Sequence, residues 1–488
     1  MSEMILALYD CRSKQEYIYR TNRIKEITGG SQLLTELYDN LKKQAIEKGI
    51  RFADGGEWKN REFCFADFES SDNDAAVVYD GGGNMMTVYK NKDIMVKVNK
   101  LFSDLLHKKL FTVSAVFSCT PVTGDFIADR TALYAKNAVN KNIKIVSQPY
   151  AVLPFTQVDM RTYMPIVEKN RSNQQSFSCE SLLKRQAYQQ LKSSEAEKEK
   201  QMQQRSDAKI TSIYLDDLVT EKGKESLLAI IYIDGNAMGA KLQELDKDSD
   251  GDYDSCINKL RQFSVRTNEA FVEKPIQAIE DMLWSKNENY AKYRKVIAGG
   301  DEITLICNAR MVPEILDVYF KTLDSKNTNN YACAGVALFH SHAPFAQVYK
   351  IAEQCCESGK KQSRAYDSNA DFVDFHFCRS AITNDMDTMR EKQEAGLTAR
   401  PYRIDDEHGG YSYNEFEKLG KMLSVIGRAN IKNLAAAIIK GDAHYQLEMQ
   451  RIRSRYKDTF DGKTNEQLKQ YIFDIAQVYD LWFAVKEG

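Results

Sequence analysis

The sequence predicts an α+β fold in which one mixed strand and helix domain occurs twice and a helical region follows. The duplication rests on three motifs that recur in one order. MILALYD (4–10) and LLAIIYID (227–234) are apolar strands that end in an acid. VVYDGGGNMMTVY (77–89) and KVIAGGDEITLIC (295–307) read as strand, glycine turn, strand. ADRTALYAK (128–136) and AEQCCESGK (352–360) are helical in pattern and end on a lysine. The offset is 224 residues from Asp10 to Asp234 and again from Lys136 to Lys360, with 218 at the hairpin. The helical region rests on Phe416, Leu419, Leu423 and Ile426, then Leu434, Ala437 and Ile438, then Ile472, Ile475, Val478, Tyr479 and Trp482, all at helical spacing.

Taken in order, the first copy occupies 1–165, a polar helical linker 166–224, the second copy 225–390 and the helical domain 391–488. The linker assignment follows from LKSSEAEKEKQMQQRSDAK, which has few apolar positions from which to build a core. A chain of 488 residues has length for about three domains, and 43% apolar with 28% charged residues is the composition of a globular protein. Lys plus Arg (67) nearly balances Asp plus Glu (69), so any binding to nucleic acid or an acidic membrane must be local. The N-terminus lacks the basic flank of a signal peptide and no apolar run approaches the length that spans a bilayer, which predicts a cytoplasmic protein without a membrane partner. Ten scattered cysteines with no CxxC pair predict reduced thiols rather than a zinc site or disulfides.

The chemistry concentrates at the second hairpin. A tight Gly299-Gly300 turn presents Asp301 and Glu302 at its tip, and Asp234 ends a neighbouring strand. Palm-type nucleotidyl transferases gather carboxylates in this way around two divalent metals, because magnesium prefers oxygen ligands and retains phosphates as partners. A side chain at either glycine obstructs a triphosphate. Lys360 and Arg364, four residues apart on a helix, can reach one polyphosphate together. Asn236 and Met238 follow Asp234 in a turn leading to a helix N-terminus, which is favourable for phosphate. In the first copy Gly83 and Asn84 replace Asp301 and Glu302, so only Asp10 remains as an acid.

These residues resemble the large palm-domain polymerase/cyclase subunit of type III CRISPR effector complexes. The matching stretches are YIYRTNRIKEITGGSQLL (17–34) and GGGN (81–84) in the first copy. In the second they are DGNAMG (234–239), GGDE (299–302), CAGVALFHSHAPF (333–345), DFVDFHF (371–377) and RPYRIDDE (400–407). The resemblance implies two ferredoxin-like palm (nucleotidyl cyclase) domains, one degenerate and one active, plus the helical C-terminal domain. It implies a cyclic oligonucleotide signal in antiviral defence, made from ATP with release of pyrophosphate. Catalytic roles fall on Asp234, Asp301 and Glu302, with Asp234 and Asp301 holding two Mg2+ or Mn2+ ions. Nucleotide contacts fall on Gly299, Gly300, Lys360 and Arg364, and in the first palm on Gly81, Gly82, Gly83, Asn84 and Lys136. Partner proteins of an RNA-guided complex are a further implication.

The departures also carry information. The family commonly has GGDD where this chain has GGDE, and a second acid where it has Asn236. No His-Asp dipeptide occurs, so no DNase activity is expected, and the relatives' four-cysteine zinc site has no counterpart. A distant resemblance to the GGDEF diguanylate cyclases rests on the hairpin and lysine helix, and leaves a GTP-using cyclase as one alternative. A palm-fold scaffold or nucleotide sensor without turnover is the other. Two further patterns are read as structural: DKDSDGDYDSCI (246–257), an EF-hand-like start whose twelfth position is Ile257, and the His340, His342 pair.

Overall fold

β1 (Ile5–Cys11) is buried along its whole length, as its apolar run Ile5–Tyr9 requires of a strand covered on both faces. It lies in the computed structural model of the chain, which describes residues 4–484 except 22, 82, 144–152, 170–174, 204–217, 220–225, 248–249, 285–292, 379–384, 395, 406–409, 457–459 and 461–462. Two compact units form: Met1–Asp207 with Ala237–Glu269, and Ala208–Asn236 with Ala270–Gly488.

In the first unit, β1, β2 (Ala75–Gly81), β3 (Asn84–Tyr89) and β4 (Ala115–Pro121) make an antiparallel sheet in the order β2-β3-β1-β4, with Asp10 opposite Asn84. The helix Phe126–Asn142, capped by the Asp125 side chain, brings Phe126 and Leu133 against Leu6, Leu8, Met86 and Val88. The same core takes Tyr253, Ile257 and Leu260 from the helix Tyr253–Asn268, which comes from far downstream in the sequence. Arg261 on that helix is buried and donates to Val78 O (3.2 Å) and Arg61 O (3.0 Å). A small antiparallel sheet, β5 (Val158–Asp159), β6 (Met164–Lys169) and β7 (Ser176–Ser178), leads into the helix Cys179–Gln203. The first turns of that helix pack on the helix Ile24–Thr35 and bury Glu180, Ser181 and Lys184 completely. Lys184 is neutralised there by Glu180 (2.6 Å) and also donates to Tyr17 O. A stretch whose composition reads as solvated therefore enters a core through paired charge rather than apolar surface. Other parts of the expected linker, 170–174, 204–217 and 220–224, lie outside the described residues.

The second unit carries a six-stranded sheet of β8 (Leu227–Gly235), β9 (Tyr293–Gly299), β10 (Glu302–Asn308), β11 (Ala332–His340), β12 (Phe372–Phe377) and β13 (Tyr402–Arg403), in the order β13-β12-β11-β8-β10-β9. β11 and β12 are parallel, and the other neighbours are antiparallel. The helix Phe345–Ser363 packs on this sheet. It can come close because β11 has Gly335 at the crossing, where a Cβ would lie 1.9 Å from Ala352 O. The C-terminal stripes are core, as their spacing predicts. Phe416, Leu419, Leu423, Leu434, Ile438, Ile472, Ile475 and Val478 are buried, and Trp482 donates its indole N–H to Ala309 O (3.0 Å). The fold is α+β, as the sequence predicts. All ten cysteines are free thiols, and among the described residues no single helix is long and apolar enough to cross a membrane.

Behind β12 a buried charge network joins Arg390, bonded through both Nη atoms to Asp374 (2.7 Å each), with Arg400, Glu394 and Asp474. Burial, together with Arg400 and Arg390, holds the His376 imidazole down at about 4 against an ordinary 6.5. As pH falls the unfolded chain takes up this proton first, so the stability contributed by neutral His376 is complete above pH 6.5 and is lost progressively toward pH 4. Melting curves of wild type and His376→Gln should differ by a constant amount at pH 7–8 and converge, or cross, as pH drops through that window. A pH-independent difference contradicts the assignment.

Candidate active site

The β9–β10 hairpin turns at Gly300, whose φ of +66° is a conformation that side-chain-bearing residues rarely adopt. Beyond Gly299 and Gly300 a Cβ would meet nothing within 4 Å, so open space adjoins the backbone there. Pairing of β10 with β8 sets Glu302 opposite Asp234, and the Gly235 N–H donates to Asp301 O (3.2 Å). One register thus gathers Asp234, Asp301 and Glu302 at the same end of the sheet.

The helix Phe345–Ser363 supplies the counter-charge. Lys360 Nζ donates to Asp234 Oδ2 (2.6 Å) and to Gly235 O (2.9 Å). Burial works against the ammonium, but the Asp234 carboxylate outweighs it and the Lys360 pKa is raised. Asp301 is pushed up to about 6, first by burial and then by the charge of Asp234, with which it also hydrogen-bonds. An acid raised in this way by a neighbouring carboxylate marks a site short of positive charge. Glu353, seven residues before Lys360 on the same helix, is half-buried, and its pKa is raised by burial and further by Asp234. Sequence reading missed it, because a single acid in a helix carries no pattern.

The other expected residues are placed differently. Arg364 pairs with Glu357 (2.9 Å), both well exposed, rather than turning to the carboxylates with Lys360. Asn236 is buried and braces the strand end from behind, donating to Ser363 Oγ (3.1 Å) and Ala370 O (3.0 Å). His340 and His342 lie with ring centroids 5.2 Å apart, and among the described residues no group of three or more His, Cys, Asp or Glu side chains is arranged to hold a metal. The acidic 246–257 segment is used structurally: Asp246 pairs with Arg130, Asp252 caps its helix at Ser255 N (2.8 Å), and Asp254 accepts from Phe65 N; positions 248–249 lie outside the described residues.

In the first palm, Asp10 is buried and fully engaged. Lys141 pairs with its Oδ2, Asn137 donates to the same oxygen (3.0 Å), and the Asn84 amide, oriented to satisfy its neighbours, donates to Oδ1 (2.7 Å) and to Gly83 O (3.0 Å). Gly83 O also accepts from Tyr38 Oη (2.8 Å). Gly81 ends β2 at the hairpin, and Gly82 lies outside the described residues. Lys136 is one turn away: it donates to Cys119 O (3.1 Å), as Asn140 donates to Phe117 O (3.2 Å), and together they occupy outward carbonyls of the edge strand β4. The geometric counterpart of Lys360 is therefore Lys141. Equal spacing pointed to Lys136 because an offset counts residues and does not see that the first-palm helix reaches Asp10 later along its length.

Residues 227–370 match the family model for the Cas10/Cmr2 second palm domain. The second palm is Cas10-like. A solved Csm1-Csm4 cassette in complex with cA4 superposes on the chain with a TM-score of 0.56 at 14% identity, covering 98% of this chain and 70% of that one. Csm1 from T. onnurineus gives 0.55 at 14%, with 98% and 69% covered. The apo Csm1-Csm4 cassette gives 0.54 at 13%, with 98% and 70% covered. At these identities the likeness is one of fold, and it extends beyond the Cas10-like palm over nearly the whole chain. A search of curated protein sequences finds no match.

The two first-palm lysines separate cleanly in experiment. Lys141→Met leaves the buried Asp10 carboxylate with amide donors alone and should cost about 1–3 kcal/mol in chemical denaturation, largely restored by adding Asp10→Asn. Lys136→Met should stay within about 0.5 kcal/mol of wild type. Equal effects would remove the distinction drawn between them.

Proposed function

We propose that the protein is a metal-dependent nucleotidyl cyclase that joins ATP through 3′-hydroxyl attack on an α-phosphate, releases pyrophosphate and closes a cyclic oligonucleotide. The observation that carries this reading is the Asp234–Asp301 pair at the tip of an open glycine hairpin, with Lys360 beside it and, among the described residues, no equivalent pair around Asp10. The solved relatives support it: Csm1-Csm4 cassettes are known with AMPPNP, with pppApA, with cA3 and with cA4.

The donor set fits Mg2+ or Mn2+. These are hard cations that suit one or two carboxylates completed by substrate phosphates, and the mutual repulsion of Asp234 and Asp301 is what a cation relieves. Asp234 and Asp301 would hold two ions, with Glu302 alongside; when bound, they supply charge neutralisation at the triphosphate and a more acidic 3′-hydroxyl. Lys360, no longer needed to neutralise Asp234, is free to hold phosphate oxygens. The bare backbone at Gly299 and Gly300 admits the triphosphate. The first palm, with Asp10 neutralised internally, contributes nucleotide contacts without a second metal centre. The nucleotide role assigned to Gly81, Gly83, Asn84 and Lys136 belongs to this part of the proposal.

Purified protein incubated separately with ATP and with GTP, each with MgCl2 or MnCl2, should yield cyclic oligoadenylate and pyrophosphate from ATP only, resolved by mass spectrometry. Cyclic product from GTP alone identifies a diguanylate-type enzyme, and no product from either leaves a scaffold. Asp301→Asn and Asp234→Asn should each lower pyrophosphate release by about a hundred- to a thousandfold or more, with melting temperature unchanged or raised. Asp10→Asn should remain active. Full activity in Asp301→Asn, or loss of activity in folded Asp10→Asn as deep as in Asp234→Asn, contradicts the one-centre mechanism.

A further inference from the structure

Three arginines of the first unit converge on its small sheet. Arg23 is the N-cap of the helix Ile24–Thr35, Arg161 sits in the turn between β5 and β6, and Arg185 lies on the helix Cys179–Gln203. Nη1 atoms of Arg23 and Arg185 are each 3.9 Å from the same Glu26 Oε1. Arg161 and Arg185 lie over the same Phe177 ring, at 5.9 and 4.4 Å from its centroid.

The acids of this cluster leave donors over. Of the three arginines only Arg161 bonds Asp159, through Nε (2.7 Å) and Nη2 (2.8 Å). Glu26 is fully buried, and its Oε2 accepts from Thr21 Oγ1 (2.9 Å) and Ser181 Oγ (3.0 Å). Its Oε1 has no hydrogen-bond partner among the described residues, since 3.9 Å is beyond bonding range of either guanidinium. Three cations face two carboxylates, and Arg23 and Arg185 donate to neither. Burial and the nearness of Arg161 both lower the Arg23 pKa, the direction expected where guanidiniums crowd without enough anion.

Beside the arginines the hairpin exposes large apolar side chains. Met160 and Tyr163, in the turn with Arg161, are each 73% exposed. Tyr163 is held at φ +54°, unusual for an aromatic residue, by its N–H to Asp159 O (2.7 Å). We propose that this surface binds single-stranded nucleic acid, with Arg23 and Arg185 on backbone phosphates and Tyr163 stacked on a base. Planar forks match phosphate oxygens, and an unpaired strand offers phosphates and flat π-faces at short intervals, as this surface requires. A purely apolar protein partner would leave the surplus guanidinium charge unanswered. With a net charge of −2 the whole chain supplies no general attraction for nucleic acid, so such binding rests on local groups like these.

Because binding is read without turnover, the test is independent of the cyclase reading. Fluorescence anisotropy with a labelled 15-nucleotide oligouridine RNA, titrated with the full chain at 50–200 mM KCl, should show salt-dependent binding. Arg23→Gln/Arg185→Gln should weaken it at least about tenfold and flatten the log–log salt slope by about 1.4, the share of two single-strand phosphate contacts. Tyr163→Ala should weaken binding by about five- to a hundredfold and leave the slope unchanged. If the Gln double variant melts early, Arg23→Lys/Arg185→Lys serves instead, with the slope kept and affinity lost. No RNA binding by wild type at 50 mM KCl overturns the proposal in favour of a protein-facing surface. Equal affinity in the double variant overturns it too. Inorganic polyphosphate competing as well as RNA while Tyr163→Ala has no effect would reduce the site to a phosphate binder and likewise overturn it.

Discussion

Two carboxylates held within hydrogen-bonding reach of one another are the constraint around which the second unit is arranged. The pairing of β8 with β10 fixes Asp234 opposite Glu302, and the turn at Gly300 then leaves Asp301 no position remote from Asp234. Burial sharpens the repulsion. Lys360 offsets part of it, and reaches the strand end because the helix Phe345–Ser363 crosses β11 where Gly335 has no side chain. Asn236 ties that strand end to Ser363 and Ala370, so the carboxylate and the end of the lysine helix are fastened to one another.

The first palm repeats the same strand and hairpin and resolves the same electrostatic problem in the opposite way. With Gly83 and Asn84 at the turn there is no second acid, and the remaining one is satisfied internally by Lys141, Asn137 and Asn84. A buried carboxylate with an ammonium and two amides on its oxygens has no demand left for a cation. Two copies of one strand-and-hairpin arrangement thus differ in charge balance through a handful of side chains at one strand end. Polar groups are also spent on structure elsewhere: Lys184 in the packing of helix Cys179–Gln203, Arg261 against β2, and Arg390 and Arg400 around Asp374, Glu394 and Asp474.

The sequence by itself determined the α+β class, the doubled strand and hairpin pattern, the helical stripes after residue 390 and the gathering of Asp234 with the GGDE turn. Those features are periodic or local: alternation, helical spacing and glycine turns act within a few residues, and a repeat makes them visible twice. Which lysine meets which acid was decided only in three dimensions. Lys360 and Arg364 share a helical spacing, yet one bonds Asp234 and the other Glu357. Lys136 shares the repeat offset, yet Lys141 holds Asp10. A long flexible side chain on a helix can serve either of two neighbours, and the choice depends on how far the helix slides along its sheet. Tertiary structure alone also placed Tyr253–Asn268 in the first core and brought Arg23, Arg161 and Arg185 together from three distant stretches. Contacts between segments so far apart leave no spacing to read, because they are fixed by the closing of a core rather than by any local repeat.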